Sequence, residues 1–187
     1  MKEVNSLVFA EQARSTKYDK LKYDDADCQT FVEMVLKDCG VRKADGTIYN
    51  WSGCNKMWRV ALTWKGTIEE CKRQFGEIPL GAWMFIWKND GGEKERGYFD
   101  NEGNAKHIGI YVGGEKPVRD STRTKNATGK IIRDGVGYRS LDGFTHVGLP
   151  FMIDYFDESL IPNTIGKVSQ ADALKALETL KLYILGG

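Results

Sequence analysis

The chain has 187 residues, 41% of them hydrophobic, and 27 basic against 26 acidic side chains leave a formal net charge of +1. That length and apolar content suffice for one full core without disulfide staples and leave a second complete domain cramped. Near-neutral charge excludes a global field that would attract nucleic acid or a membrane surface, and no apolar run is long enough to cross a bilayer.

In chain order, residues 6–14 read as a short helix. A second helix is expected over residues 28–39, because Phe31, Val32, Val35 and Leu36 recur at helical spacing, capping-type residues Asp24, Asp25 and Asp27 precede them, and Gly40 supplies a stop. Residues 45–64 read as an irregular, Trp-rich segment, after which Thr67 caps a helix running to Phe75. Strands are expected over 82–87, 107–112, 118–122, 130–133 and about 147–153, with a polar, Gly-rich loop over 88–104. Beyond Pro162, Ser169 and Asp172 open an amphipathic helix whose stripe is Leu174, Leu177, Leu180 and Ile184. Helices first and a mainly antiparallel sheet afterwards define an α+β fold, with one domain over residues 1–160 and a linker and helix over 161–187, the helix expected to pack on the core, the alternatives being self-association or a lead toward a further module.

Two of these elements carry chemistry. Cys28 stands in the first turn of its helix, where unpaired N–H groups and the positive end of the helix dipole favour thiolate over thiol. His107 opens the strand Lys106-His107-Ile108-Gly109-Ile110-Tyr111-Val112, in which Ile108, Ile110 and Val112 share an apolar face and His107 belongs to the other. A neutral imidazole there can take the thiol proton and later return it to a leaving amine, as a Cys/His hydrolase requires.

The pair Asp27-Cys28 opening a helix, followed by His107-Ile108-Gly109-Ile110-Tyr111 on a strand, resembles the NlpC family of papain-like cell-wall cysteine peptidases over approximately residues 18–155. Gly53-Cys54-Asn55-Lys56-Met57-Trp58-Arg59, Trp64-Lys65-Gly66-Thr67-Ile68-Glu69-Glu70-Cys71 and Ile78-Pro79-Leu80-Gly81-Ala82 look like a phage-associated branch of it. The resemblance implies a papain-like core in which the nucleophile helix packs on the sheet. It also implies cleavage of the peptidoglycan stem peptide, typically between D-glutamate and the diamino acid that follows, through an acyl-enzyme. It implies a third polar residue on the strand after His107. Asp120, in Pro117-Val118-Arg119-Asp120-Ser121-Thr122, takes that place when one extra turn residue is allowed, and Ser121 is the alternative. A tyrosine upstream of the nucleophile is also implied to line the site. The usual Tyr-x-x-Gly-Gly segment is absent, so Tyr18 and Tyr23 are both candidates, Tyr18 the first because it lies further upstream. The backbone N–H of Cys28 is expected to help stabilise the oxyanion.

The remaining features read more plainly. His146 precedes Val147-Gly148-Leu149 but has no polar strand residue at triad spacing after it, and reads as structural. Cys28, Cys39, Cys54 and Cys71 include no Cys-x-x-Cys pair and read as free thiols, with no metal and no cofactor expected. Arg119, Arg123, Lys125 and Lys130 read as a solvated edge, the alternative being contact with stem-peptide carboxylates. Trp51, Trp58, Trp64, Trp83 and Trp87 divide between core packing and a groove lining. Met1-Lys2-Glu3-Val4-Asn5-Ser6 does not resemble a secretory leader. A wall hydrolase of this kind is made in the cytoplasm and meets its substrate by phage release or tail delivery, as an endolysin or tail-associated lysin. The expected partner is the stem peptide, with neither nucleic acid nor membrane. The competing classes are an N-acetylmuramoyl-L-alanine amidase or acyl transferase on the same fold, and a non-catalytic wall-binding phage protein.

Overall fold

The structure is a computed structural model that describes residues 3–90, 98, 100 and 102–155. The chain divides into a unit of Met1–Phe156 and a second of Asp157–Gly187. The boundary expected at residue 160 and the amphipathic helix beyond it lie outside the described residues.

Three of the helices begin where a side chain takes up an otherwise unpaired N–H. Asn5 caps α1 (Ser6–Arg14) by accepting from the Leu7 N–H at 2.9 Å, and Asp27 caps α2 (Cys28–Asp38) by accepting from the Thr30 N–H at 2.8 Å. α3 (Cys54–Val60) has no side-chain cap and starts from Gly53 at φ 101°. On α4 (Ile68–Phe75), Thr67 and Glu70 make a reciprocal capping box.

Six strands form one sheet in the order β2-β7-β3-β4-β5-β6: β2 (Leu62–Thr67), β3 (Trp83–Lys88), β4 (Asn104–Tyr111), β5 (Val118–Lys125), β6 (Ile131–Arg139) and β7 (His146–Pro150). Every neighbouring pair in it is antiparallel, and a two-residue parallel pair, β1 (Val4–Asn5) with β8 (Ile153–Asp154), stands apart. The fold is therefore α+β with a mainly antiparallel sheet.

Alternation along the strands sends side chains to two cores. On β3, Trp83 and Phe85 join Phe9, Phe31, Val35 and Met57 of α1, α2 and α3 on one side, while Met84 joins Cys71 of α4, Val118 and Val147 on the other. α2 thus buries its Phe31, Val32, Val35 and Leu36 stripe, and that burial fixes its N-terminus against β4.

Several expectations change: the strand expected from His107 begins at Asn104, and the strand expected to about residue 153 ends at Pro150. The segment 45–64 is not irregular throughout: it contains α3 and the start of β2. The strand expected over 130–133 extends through Arg139, with Gly135 and Gly137 inside it. Gly135, at φ 108°, allows the chain before Cys28 to lie on β6. A Cβ there would stand 1.9 Å from the Leu21 carbonyl oxygen, which instead accepts from the Val136 N–H at 3.2 Å.

Candidate active site

β4 and β5 build the centre of the site. Their pairing is confined to Ile110 with Arg119 and Tyr111 with Val118, so the first half of β4 diverges from β5 and leaves an opening between them. Gly109 makes the next contact possible: a Cβ there would lie 2.6 Å from Val118 Cγ1 and 3.1 Å from Asp120 Cβ. Without that side chain, Asp120 leans across to His107, and its Oδ2 lies 2.6 Å from His107 Nε2.

The Asp120 side chain has no solvent exposure, and two further cations share its carboxylate. Arg133 reaches Oδ1 and Arg139 lies 3.2 Å from Oδ2. Both come from β6, where Gly137 is the register partner of Asp120. A Cβ on Gly137 would meet the Arg133 guanidinium at 3.3 Å, so this glycine gives the arginine its route to the carboxylate. Burial disfavours charge on Asp120, but His107 and Arg133 hold its carboxyl below the usual range.

Cys28 comes to the opposite side of the imidazole. With Nε2 engaged by Asp120, Nδ1 is the ring nitrogen available to the thiol. The sulfur also meets the backbone N–H of Ile108, which the divergence of β4 from β5 leaves accessible, and the thiol of Cys54, Sγ to Sγ 3.6 Å. The Cys54 bond is the largest influence on Cys28. With the His107 ring and the Ile108 N–H it outweighs burial and lowers the Cys28 pKa to about 5. Burial opposes charge on His107 in turn, yet its bonds to Asp120 and Cys28 raise its pKa to about 9. The two shifts together favour a thiolate beside an imidazolium. The Cys54 pKa is pushed well up by that bond to Cys28 and by burial, which favours Cys54 as the donor of the pair.

Cys54 was not among the residues expected here, and α2 itself holds it in place. Gln29 donates to the Trp51 carbonyl and accepts from the Gly53 N–H, while Glu33 accepts from the Trp51 N–H at 2.6 Å. Asn55 then joins α3 to β4, accepting from the Ala105 N–H at 2.9 Å. The two sulfurs line one open cavity of about 190 Å³, with Asp27, Asn55 and Lys106 in its walls.

Of the two tyrosines, Tyr23 lies by the thiol and Tyr18 does not. Burial raises the Tyr23 pKa, and the charges of Cys28 and Asp27 raise it further, while Arg123 stands 5.5 Å from its ring centroid. The Tyr18 hydroxyl bonds Asp38 at 2.6 Å and accepts from Gln12 at 3.0 Å. Asp38 ends α2, ten residues and about 15 Å of helix from Cys28. Tyr18 is a core residue, edge-on to Phe31, because its ring fills the space under α2. Ser121 points away from His107 and donates to the Ala26 carbonyl.

The basic cluster is a solvated edge at Lys125 and Lys130, which are exposed, but not at its two arginines. Arg119 is 1% exposed, bonded to Asp19, the Arg14 carbonyl and the Tyr138 hydroxyl, and Arg123 is tied to Asp24 at 2.6 Å and Asp134 at 2.9 Å. Trp83 is fully buried, and Trp58 packs with Phe85, Trp87 and His146. The described cysteines are all free, and among the described residues no group of three or more His, Cys, Asp or Glu side chains is placed to hold a metal ion. No helix among them is long and apolar enough to cross a membrane.

The arrangement can form a covalent bond through sulfur, deliver a proton from the imidazole, and hold the ring with a buried carboxylate. Compared with protein-family models, with curated proteins and with solved structures, the chain matches none.

Proposed function

We propose that this chain is a papain-like cysteine hydrolase that cleaves the peptidoglycan stem peptide, at the bond between D-glutamate and the diamino acid. The observation that carries the chemistry is the line from Cys28 through His107 to Asp120, closed by a 2.6 Å contact at its far end. The substrate rests on the resemblance of Asp27-Cys28 and His107-Ile108-Gly109-Ile110-Tyr111 to the NlpC family. Phage release or tail delivery to the wall belongs to the same reading.

In this reading the Cys28 thiolate attacks the scissile carbonyl, and negative charge develops on its oxygen near the N-terminus of α2. The Cys28 backbone N–H is the oxyanion donor, since the first N–H groups of a helix have no partner within it. Tyr23 lines the substrate side. The His107 imidazolium gives its proton to the departing amine, which leaves an acyl-enzyme and a neutral ring. That ring takes a proton from water, the resulting hydroxide attacks the thioester carbonyl, and Cys28 departs as thiolate. Asp120 keeps the ring in orientation and stabilises its charged form. Arg133 and Arg139 hold the carboxylate still and draw off part of its charge.

Digestion of purified sacculi, with muropeptides identified by mass spectrometry, tests the proposal. Products carrying a new amino group on the diamino acid support it. A new amino terminus at L-alanine would instead make the enzyme an amidase with the same nucleophile.

A further inference from the structure

The hydrolytic steps use Cys54 only as a hydrogen-bond donor, yet a second thiol 3.6 Å from a nucleophilic sulfur is equipped for another reaction. We propose that Cys28 and Cys54 form a peroxide-oxidation site, in which Cys28 is the sulfur oxidised and Cys54 the resolving thiol that converts it to a disulfide. Both sulfurs open on the same cavity, which is large enough for hydrogen peroxide or a small organic hydroperoxide. About 1.5 Å of approach separates the present contact from a disulfide bond. Gly53, at φ 101°, immediately precedes Cys54 and provides a backbone pivot for that movement.

The chemistry balances with the hydroperoxide as the only added reagent. The Cys28 thiolate attacks the terminal peroxide oxygen, the O–O bond breaks, and the leaving alkoxide or hydroxide takes the His107 proton, giving a sulfenic acid and an alcohol or water. Cys54 then attacks the Cys28 sulfur as its own proton departs. The S–O bond breaks, hydroxide and that proton make water, and a disulfide remains. Oxidation itself prepares the second step. Cys54 is held protonated by its bond to the Cys28 thiolate, and a sulfenic acid no longer carries that charge. Cys39 and Cys71, whose pKa values burial pushes up to about 11, have no such partner role and are slower to react.

The test treats the full chain with hydrogen peroxide, blocks free thiols, digests with trypsin without reduction and weighs the peptides. Peptide 23–37 joined to peptide 44–56, two hydrogens lighter than their sum, is the expected product, and dithiothreitol should restore alkylation of Cys28. Cys54→Ser and Cys54→Ala should yield no crosslink, with peptide 23–37 gaining two or three oxygens that dithiothreitol does not remove. Oxygen addition to Cys28 in the wild type, without the crosslink, overturns the proposal whether or not the variants fold. The readout needs no wall substrate, so it is separate from the success or failure of the hydrolase reading.

Discussion

The sequence contains two similar strand segments, His107-Ile108-Gly109 on β4 and His146-Val147-Gly148 on β7, and the fold gives them different surroundings. At Gly109 the space left by the missing Cβ is filled by Val118 and Asp120, so a carboxylate reaches the neighbouring imidazole. At Gly148 the same space is filled by Leu62, which would stand 2.5 Å from a Cβ. The ring of His146 packs against both Trp58, centroids 5.5 Å apart, and Trp87, 5.1 Å apart, and its Nδ1 is 2.9 Å from the Thr145 hydroxyl. Burial lowers its pKa against a weaker pull from Glu70, whereas Asp120 and Cys28 raise that of His107 to about 9. The proton affinity of a histidine on a strand is set by what its neighbouring strand delivers, here a carboxylate instead of a leucine.

The largest test of that contrast removes each ring. Cys28→Ala should abolish turnover, and His107→Ala should lower it on the order of a thousandfold or more, as loss of a triad base does. His146→Ala should keep turnover and lower the melting temperature, at a cost of about 1 kcal/mol for the lost aromatic contacts. Initial rates on purified sacculi and thermal melts of the three variants provide the comparison. Equal activity losses in His107→Ala and His146→Ala, both folded, would erase it.

A smaller effect is expected at the carboxylate. Asp120→Asn keeps an oxygen to accept from His107 but loses the charge that stabilises imidazolium, so kcat should fall on the order of 10²-fold. His146 has no equivalent partner to remove. Asp120→Ala is a poorer probe, because it strands Arg133 and Arg139 against an empty buried site and should cost about 3 kcal/mol of stability as well.

The pH dependence follows from the same pair. Below about 5 Cys28 gains a proton and loses nucleophilicity, and above about 9 His107 loses the proton that the leaving amine needs. The profile of kcat/KM should therefore be a broad bell, falling about tenfold per pH unit outside those limits. Cys54→Ala should move the acid limb upward, since the Cys54 bond is the largest cause of the lowered Cys28 pKa. Iodoacetamide reactivity of Cys28 against pH checks that shift directly, and an unmoved limb would deny Cys54 its influence on the thiolate.

The smallest difference separates the two glycines. Gly109→Ala and Gly148→Ala each force a Cβ within 2.6 Å of a neighbouring side chain and should each cost about 1–3 kcal/mol. Only Gly109→Ala should also reduce kcat, because it presses β5 away and lengthens the His107–Asp120 contact. Circular dichroism melts alongside initial rates distinguish the two.

Local signals made much of this fold legible. Asp27 before the Phe31-Val32-Val35-Leu36 stripe marks α2, Thr67 marks α4, and alternation marks β4, because caps and periodicity act within a few residues. α3 escaped that reading: it has seven residues and no side-chain cap, and Gly53 at its start looks like a loop residue. β6 continues past residue 133 through Gly135 and Gly137, one of which accommodates the Leu21 carbonyl and the other the Arg133 side chain, contacts that no local signal announces. The proximity of Cys54 to Cys28 could not be read, since it depends on Gln29 and Glu33 tethering a segment 24 and 18 residues away from them. Arg133 and Arg139 were equally hidden, for their role exists only once β6 pairs with β5 at Asp120. Tyr18 was drawn toward the site by its distance upstream in the sequence, which carries no information about which end of α2 it meets.

The most direct measurement of the central claim is mass spectrometry of muropeptides from sacculi digested by the wild type and by Cys28→Ala. The account predicts that the wild type releases stem fragments with a new amino group on the diamino acid, and that the variant, folded as judged by its melt, releases none. Unchanged muropeptides after wild-type digestion, or the same fragments from Cys28→Ala, would contradict it.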